Sequence, residues 1–311
     1  MDIYKLFAGR PWAITLEAFE ALLEIAPIRA ASFGQEMPSD APRTDGGVGV
    51  IPVRGTIAHH SDMWSWLFGE TTVDSIEQSL RQFAADPAIK SIVLDIDSPG
   101  GSSSGQTEIA AVIRSLRSKK PIVAVANGMA ASAAYNIGAS AGAFYASPSS
   151  LVGSVGVYAL HMDYSGAMEN EGVKPSFISA GKYKVEGNQF EPLSDEARDH
   201  MQHIVDETYA AFVTNVAKGR GVSEATVKKD FGQGRVMTAR EAKAAGMVDD
   251  IKTLDQAIKA SVTLKARPAA VEGMAEELEA PEPAMDDEGT QRLGRMRLER
   301  MRAFAATSGG V

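Results

Sequence analysis

The sequence predicts an α/β fold built on a parallel sheet, and three observations carry that prediction. From residue 73 onward, short apolar runs alternate with helix-length amphipathic segments, the arrangement of βαβ units. Two consecutive apolar runs, Ser91–Ile96 and Pro121–Ala126, end in glycine-containing turns, and ligand sites of parallel sheets form at such carboxyl ends. The chain has 311 residues, of which 44% are hydrophobic and 23% charged, enough to bury a full core.

Taken in order, Trp12, Ile14, Leu16, Phe19, Leu22, Leu23 and Ile25 have helical spacing and predict an amphipathic helix over 11–27. Residues 31–46, rich in Ser, Pro, Asp and Gly, read as a linker. Residues 1–46 therefore precede a main domain spanning 47–256. A strand is expected at Val48–Val53, and Trp64, Trp66 and Phe68 form either a hydrophobic plug or a partner-binding surface. Helix 73–85, strand 91–96, helix 104–117, strand 121–126, helix 131–141 and strand 143–146 follow. Strand 155–160, helix 163–171 and strand 176–179 come next. Ser194, with Asp195 and Glu196 behind it, caps a helix over 195–218. Its stripe Met201, Ile204, Val205, Thr208, Tyr209, Phe212, Val213 and Val216 keeps the spacing of a buried face. Helix 223–230 and residues 234–251 close the domain.

The tail, 257–311, reads as an acidic disordered linker followed by a basic segment. Residues 271–290 hold eight acids and no base, and 291–302 hold five arginines against one glutamate. The net charge of −9 argues against general nucleic-acid binding, which needs a basic face. The absence of cysteine excludes disulfides, thiolate metal sites and a cysteine nucleophile. Five histidines without a zinc-protease pattern predict no metal. No run of about 18 apolar residues predicts a membrane span. Asp2, Lys5 and Arg10 interrupt any signal-peptide pattern. The expectation is a soluble cytoplasmic protein without a membrane anchor.

Chemistry concentrates in three segments. After Pro121–Ala126, a run of small residues contains Ser132; a strand, a glycine turn and an alanine-rich helix would leave its hydroxyl at a helix N-terminus. Free N–H groups and the helix dipole favour developing negative charge there. Taken alone, the segment reads equally as tight helix packing. In Asp97-Ser98-Pro99-Gly100-Gly101, the proline breaks the strand and the glycines let backbone approach a ligand closely. The N–H of Gly100 or Gly101 would form one arm of an oxyanion hole, and that of Ala133 the other. A serine nucleophile also needs a base. His161 is one choice; a lysine whose pKa is lowered by burial is another, with Lys184 and its neighbour Lys182 as candidates.

Five motifs now stand in order. They are Asp97–Gly101, the Gly128–Tyr135 run around Ser132, Ser149–Gly156, Ser179–Lys184 and Gly234–Asp249. Across about residues 48–255 the chain resembles the signal peptide peptidase A family of serine peptidases, which shares the Clp protease–crotonase fold. The resemblance implies a Ser–Lys dyad with Ser132 as nucleophile and Lys184 as general base. It also implies that Ser154 orients the lysine, that no cofactor is used, and that the subunits assemble into a ring-like homo-oligomer. The opening Pro11–Glu17 and the acidic-then-basic tail resemble the soluble phage and prophage branch, the capsid-assembly proteases that process scaffold and other head proteins. In that branch the tail would be a tether to scaffold or portal. The alternatives are a cytoplasmic protease acting on signal peptides or other peptides, a crotonase-type acyl-CoA enzyme, and a non-catalytic head component.

Overall fold

Parallel pairing at the centre of one sheet organises the computed structural model, which describes residues 11–22, 41–61 and 69–267. β3 (Val48–Ala58) and β6 (Ile122–Ala131) flank β5 (Ser91–Ser102), and β7 (Ala143–Ala146) adds beside β6, all parallel. These strands bury both faces, so they read as continuous apolar runs rather than alternating ones. Alternate residues separate the two faces. Ile92, Leu94, Ile122 and Ala124 join the main core, whereas Val93, Val123 and Val125 face the opposite way.

The main core lies under α1 (Val73–Ala85), α2 (Gln106–Arg117), α3 (Ala133–Ala139) and the second half of α5 (Asp195–Arg220). The opposite face is covered by α8 (Leu254–Ser261) through Ala257 and Ile258. Short elements complete the unit. β2 (Arg43–Asp45) makes a hairpin with β3 through Gly46-Gly47, both at positive φ as a two-residue hairpin turn requires. β4 (Gly69–Thr72) pairs with β3. β8 (Leu151–Gly153) lies between β6 and β10 (Val236–Thr238). β11 (Asp250–Ile251) pairs with β7. α4 (Ser165–Asn170), α6 (Glu224–Asp230) and α7 (Ala239–Ala244) sit between these strands in sequence.

Four expectations are corrected. The helix expected over 11–27 begins as β1 (Pro11–Ile14), a strand paired antiparallel with β5 and with β9 (Tyr158–Ala159). Only residues 16–22 of the described stretch are helical. The sheet's open groove offered Pro11–Ile14 main-chain partners on both sides, which outweighs a helical spacing of apolar residues. Leu16, expected on the buried stripe, is 59% exposed. The strand expected at 155–160 shrinks to β9, because β8 takes the pairing with β6. Residues 176–179 form no strand; Phe177 and Ile178 are exposed and lack a partner edge. The stripe of α5 is buried only from Phe212 onward, and Ile204 faces solvent.

The linker residues 31–40, the Trp64–Phe68 cluster, the acidic stretch from 268 and the basic segment lie outside the described residues. No helix among the described residues is long and apolar enough to cross a membrane.

Two contacts fix α3. A Cβ on Gly219 of α5 would sit 2.3 Å from the Ala139 carbonyl oxygen, so only glycine permits this approach of helix to helix. Arg117, at 1% exposure, donates to the carbonyls of Ser140, Ala141 and Gly219. Burial lowers its pKa to about 10, which leaves the guanidinium charged at neutral pH. Arg117→Met keeps the apolar stem and orphans those carbonyls. It is expected to destabilise the protein by about 2–3 kcal/mol, read as a lower urea midpoint.

Candidate active site

Ser132 stands between the last residue of β6 and the first of α3, with φ 54 and ψ −118. A side-chain-bearing residue rarely adopts that conformation, and strain of this kind persists only where the surroundings over-determine it. Here they do. The Ser132 N–H donates to the Gly153 carbonyl at 2.7 Å, and the Ser132 carbonyl accepts from Asn136 N–H at 3.0 Å. Ala130, Ala131, Ala133 and Ala134 are fully buried around it, which explains the small-residue run. A serine on a sharp strand-to-helix turn is the arrangement that aims a nucleophilic hydroxyl away from its own helix. In this chain the residue is itself buried, and its Oγ donates only a long bond, 3.4 Å, to the Gly156 carbonyl.

β5 and β6 both run beyond their expected ends, and this brings the glycines to the serine. Ser98 pairs with Ala130, and Gly100 follows with φ +104. A Cβ on Gly100 would lie 3.0 Å from Ser132 Cβ and 2.2 Å from the Ala13 carbonyl oxygen. On Gly101 it would lie 2.0 Å from the Ile57 carbonyl oxygen. Of the three expected oxyanion donors, Ala133 opens α3, where an N–H has no intrahelical acceptor. The Gly100 N–H is already held by Ser98 Oγ at 3.2 Å, and Ser98 in turn donates to the Gly55 carbonyl. Gly101 stands in register with Ala13 on one side and Ile57 on the other.

Ser154 reaches the same place from β8. Ala131 is in register with Gly153, so Ser154 comes next to Ser132. It too has positive φ, 53, and its N–H donates to the Arg235 carbonyl at 2.8 Å. It lines a cleft of about 460 Å³ together with Ile14, Gly156 and Tyr209. Lys184 does not join them. It is exposed in the turns after Gly181, and its Nζ has no hydrogen-bond or ion-pair partner among the described residues. Lys182 is held by Tyr183 Oη and Glu196, which raise its pKa. His161 Nε2 is engaged by the Asn188 carbonyl at 3.1 Å. Within one chain, then, the site assembles Ser132, Gly100, Gly101, Ala133 and Ser154 but leaves the expected base apart. One group of three possible metal ligands occurs among the described residues: His59, His60 and Asp74. His60 pairs with Asp74 and His59 with Ser104.

The same segments carry the likeness to known proteins. Residues 114–267, which hold Ser132, Ser154 and Lys184, match the model of peptidase family S49. Residues 68–151, which hold both glycines, match the Clp protease model. Residues 114–267 belong to peptidase family S49. Its fold is that of a Clp protease-like domain. The head-tail preconnector protein of Enterobacteria phage P21 is 34% identical over 230 residues, 74% of this chain and 46% of that protein. Capsid assembly protease C of Escherichia phage lambda is 32% identical over 212 residues, 68% of this chain and 48% of that protein. Protease 4 of Salmonella typhi is 32% identical over 233 residues, 75% of this chain and 36% of that protein. The chain thus spans about half the length of the phage relatives it matches.

Three supports of this S49 site were not singled out from the sequence. Ser98 sits inside a recognised motif, but its hydroxyl's hold on Gly100 depends on the irregular β5–β6 register. Asp97 Oδ1 accepts from the Met129 N–H at 3.0 Å, and a Cβ on Gly128 would meet that carboxylate at 2.4 Å. A carboxylate at a strand end, 31 residues before a glycine, gives no local signal. Asn136, one turn into α3, donates to the Gln106 carbonyl at 2.9 Å and ties α3 to α2.

Proposed function

We propose that this S49 chain is a serine endopeptidase in which Ser132 is the nucleophile and Lys184, from a second copy of the chain, the general base. The observation that carries this reading is the backbone of Ser132: a strained residue, pinned by two main-chain hydrogen bonds at a strand-to-helix turn. The base takes the Oγ proton as Oγ attacks a peptide carbonyl, and the oxyanion forms beside Ala133 N–H and the Gly100–Gly101 stretch of β5. The protonated base then gives its proton to the leaving amine, and water resolves the acyl-enzyme. Ser154, beside Ser132 and lining the cleft, is the group that receives and orients the incoming lysine. Pairing between copies is supported by Lys184, whose Nζ has no polar partner among the described residues, and by the exposed apolar residues that precede it in sequence, Val173, Phe177, Ile178 and Tyr183. Exposed apolar patches of this kind mark protein contacts. Its substrates are proteins of a phage head, by likeness to the two phage relatives.

A fluorophosphonate probe tests the nucleophile. Labelling is expected at Ser132, located by peptide mass mapping, and is lost in Ser132→Ala. A folded chain that takes no label would count against the peptidase and favour an acyl-CoA enzyme on this fold.

A further inference from the structure

β1 is an extended segment held beside Gly100 and Ser132. Its four residues bridge two segments of chain, with Trp12, Ala13 and Ile14 opposite Ser102, Gly101 and Gly100, and Pro11 and Trp12 opposite Ala159 and Tyr158. Both pairings are antiparallel, and Thr15 extends the first by donating to the Pro99 carbonyl at 3.1 Å. An extended peptide held by main-chain bonds on both sides, with side chains in alternate pockets, is the common mode of strand-addition binding. Running N to C, β1 passes Ser132 at Ala13, whose carbonyl oxygen shares the face of Gly100 with Ser132 Cβ.

The side chains distribute as a ligand's would. Ala13 lines a small pocket with Gln106, Ala133, Asn136 and Phe212. Ile14 lines the next cleft, with Ser154 and Gly156. Trp12 packs edge-on against Phe19, which packs on Tyr158 of β9. Trp12, Ala13 and Ile14 are each at most 9% exposed, so the groove is filled.

We propose that β1 is the chain's own peptide ligand, a substrate-like strand that occupies the groove beside Ser132 and holds the protease inactive until it is displaced. The proposal rests on the peptidase reading of Ser132. It deepens that reading by giving the substrate class: an extended peptide with a small residue, alanine here, at the position beside the nucleophile. Displacement by a competing peptide frees the ladder positions of Gly100–Ser102 and Tyr158–Ala159, and no covalent change is needed.

The test has two arms. In the first, Ala13→Trp places a side chain too large for the Ala133–Asn136 pocket and drives β1 out. Ser132 of the full-length variant is then expected to react with a fluorophosphonate about tenfold faster than in the unaltered chain, as for a groove released from a mostly closed state. Equal or slower labelling of a folded variant overturns the proposal and leaves the peptidase reading standing. Labelling of neither chain removes the peptidase reading, and the second arm then decides for the strand. That arm needs no catalysis and covers a variant that does not fold. A peptide with the sequence of residues 10–15 is added in excess to full-length Ser132→Ala, and amide exchange is followed. Saturable loss of protection at residues 12–15 supports an exchangeable ligand; unchanged protection overturns it.

Discussion

Replacing Ser132 with alanine is expected to lower kcat/KM on an unfolded protein substrate by a factor on the order of 10⁵, the scale seen when a nucleophile is removed from a site acting as a unit. Stability should barely move. The hydroxyl makes one long hydrogen bond, to the Gly156 carbonyl, and the main-chain bonds that pin the residue survive the change. A matched variant separates chemistry from strain. Ser132→Gly abolishes activity equally, but glycine adopts φ 54, ψ −118 without a Cβ penalty. Ser132→Gly should therefore unfold at higher urea than Ser132→Ala, by about 1 kcal/mol. Equal midpoints would show that the turn stores no strain and would remove the main physical argument for this serine. A fall of less than about tenfold in kcat/KM for both variants would place the nucleophile elsewhere.

The parallel core was legible because its signal is local. Val93, Val123 and Val125 alternate with Ile92, Leu94 and Ala124 in short runs that only a doubly covered sheet makes useful. Ser132, Gly100 and Gly101 could be singled out in advance for a related reason. Each sits in a motif whose small residues are forced by close backbone approach, as the contacts around Gly100 and Gly101 show. What stayed hidden depends on distant partners. Pro11–Ile14 carries a helical spacing of apolar residues, and nothing within the segment reveals that β5 and β9 offer it a ladder. The first half of α5 has the same defect: Ile204 keeps the periodicity of a buried face, yet it stays 39% exposed. The hydroxyl of Ser98 was invisible because its role follows from a register shift between β5 and β6. A spacing says which face is apolar. It does not say what that face meets.

That distinction decides the role of Lys184. The lysine is exposed and its Nζ has no hydrogen-bond or ion-pair partner among the described residues, so Lys184→Ala should leave the urea midpoint unchanged within about 0.5 kcal/mol, as for other exposed positions. Activity should nevertheless fall by a factor on the order of 10³ to 10⁴, because a serine hydroxyl without a base is a weak nucleophile. Loss of activity without loss of stability already separates a catalytic lysine from a surface one. Mixing then locates it. Ser132→Ala supplies intact lysines and Lys184→Ala supplies intact serines. If each site takes its serine from one copy and its lysine from the next, a random equal mixture rebuilds roughly a quarter of the sites. Reassembled from dissociated subunits, two inactive proteins should recover activity on that scale, and neither should recover it alone. Lysine and serine from the same copy would give no recovery at any ratio, since every chain in the mixture lacks one of the two. Recovery would also give the exposed Phe177 and Ile178 their partner, because the contact that delivers Lys184 to Ser132 must cover the residues that flank it in sequence.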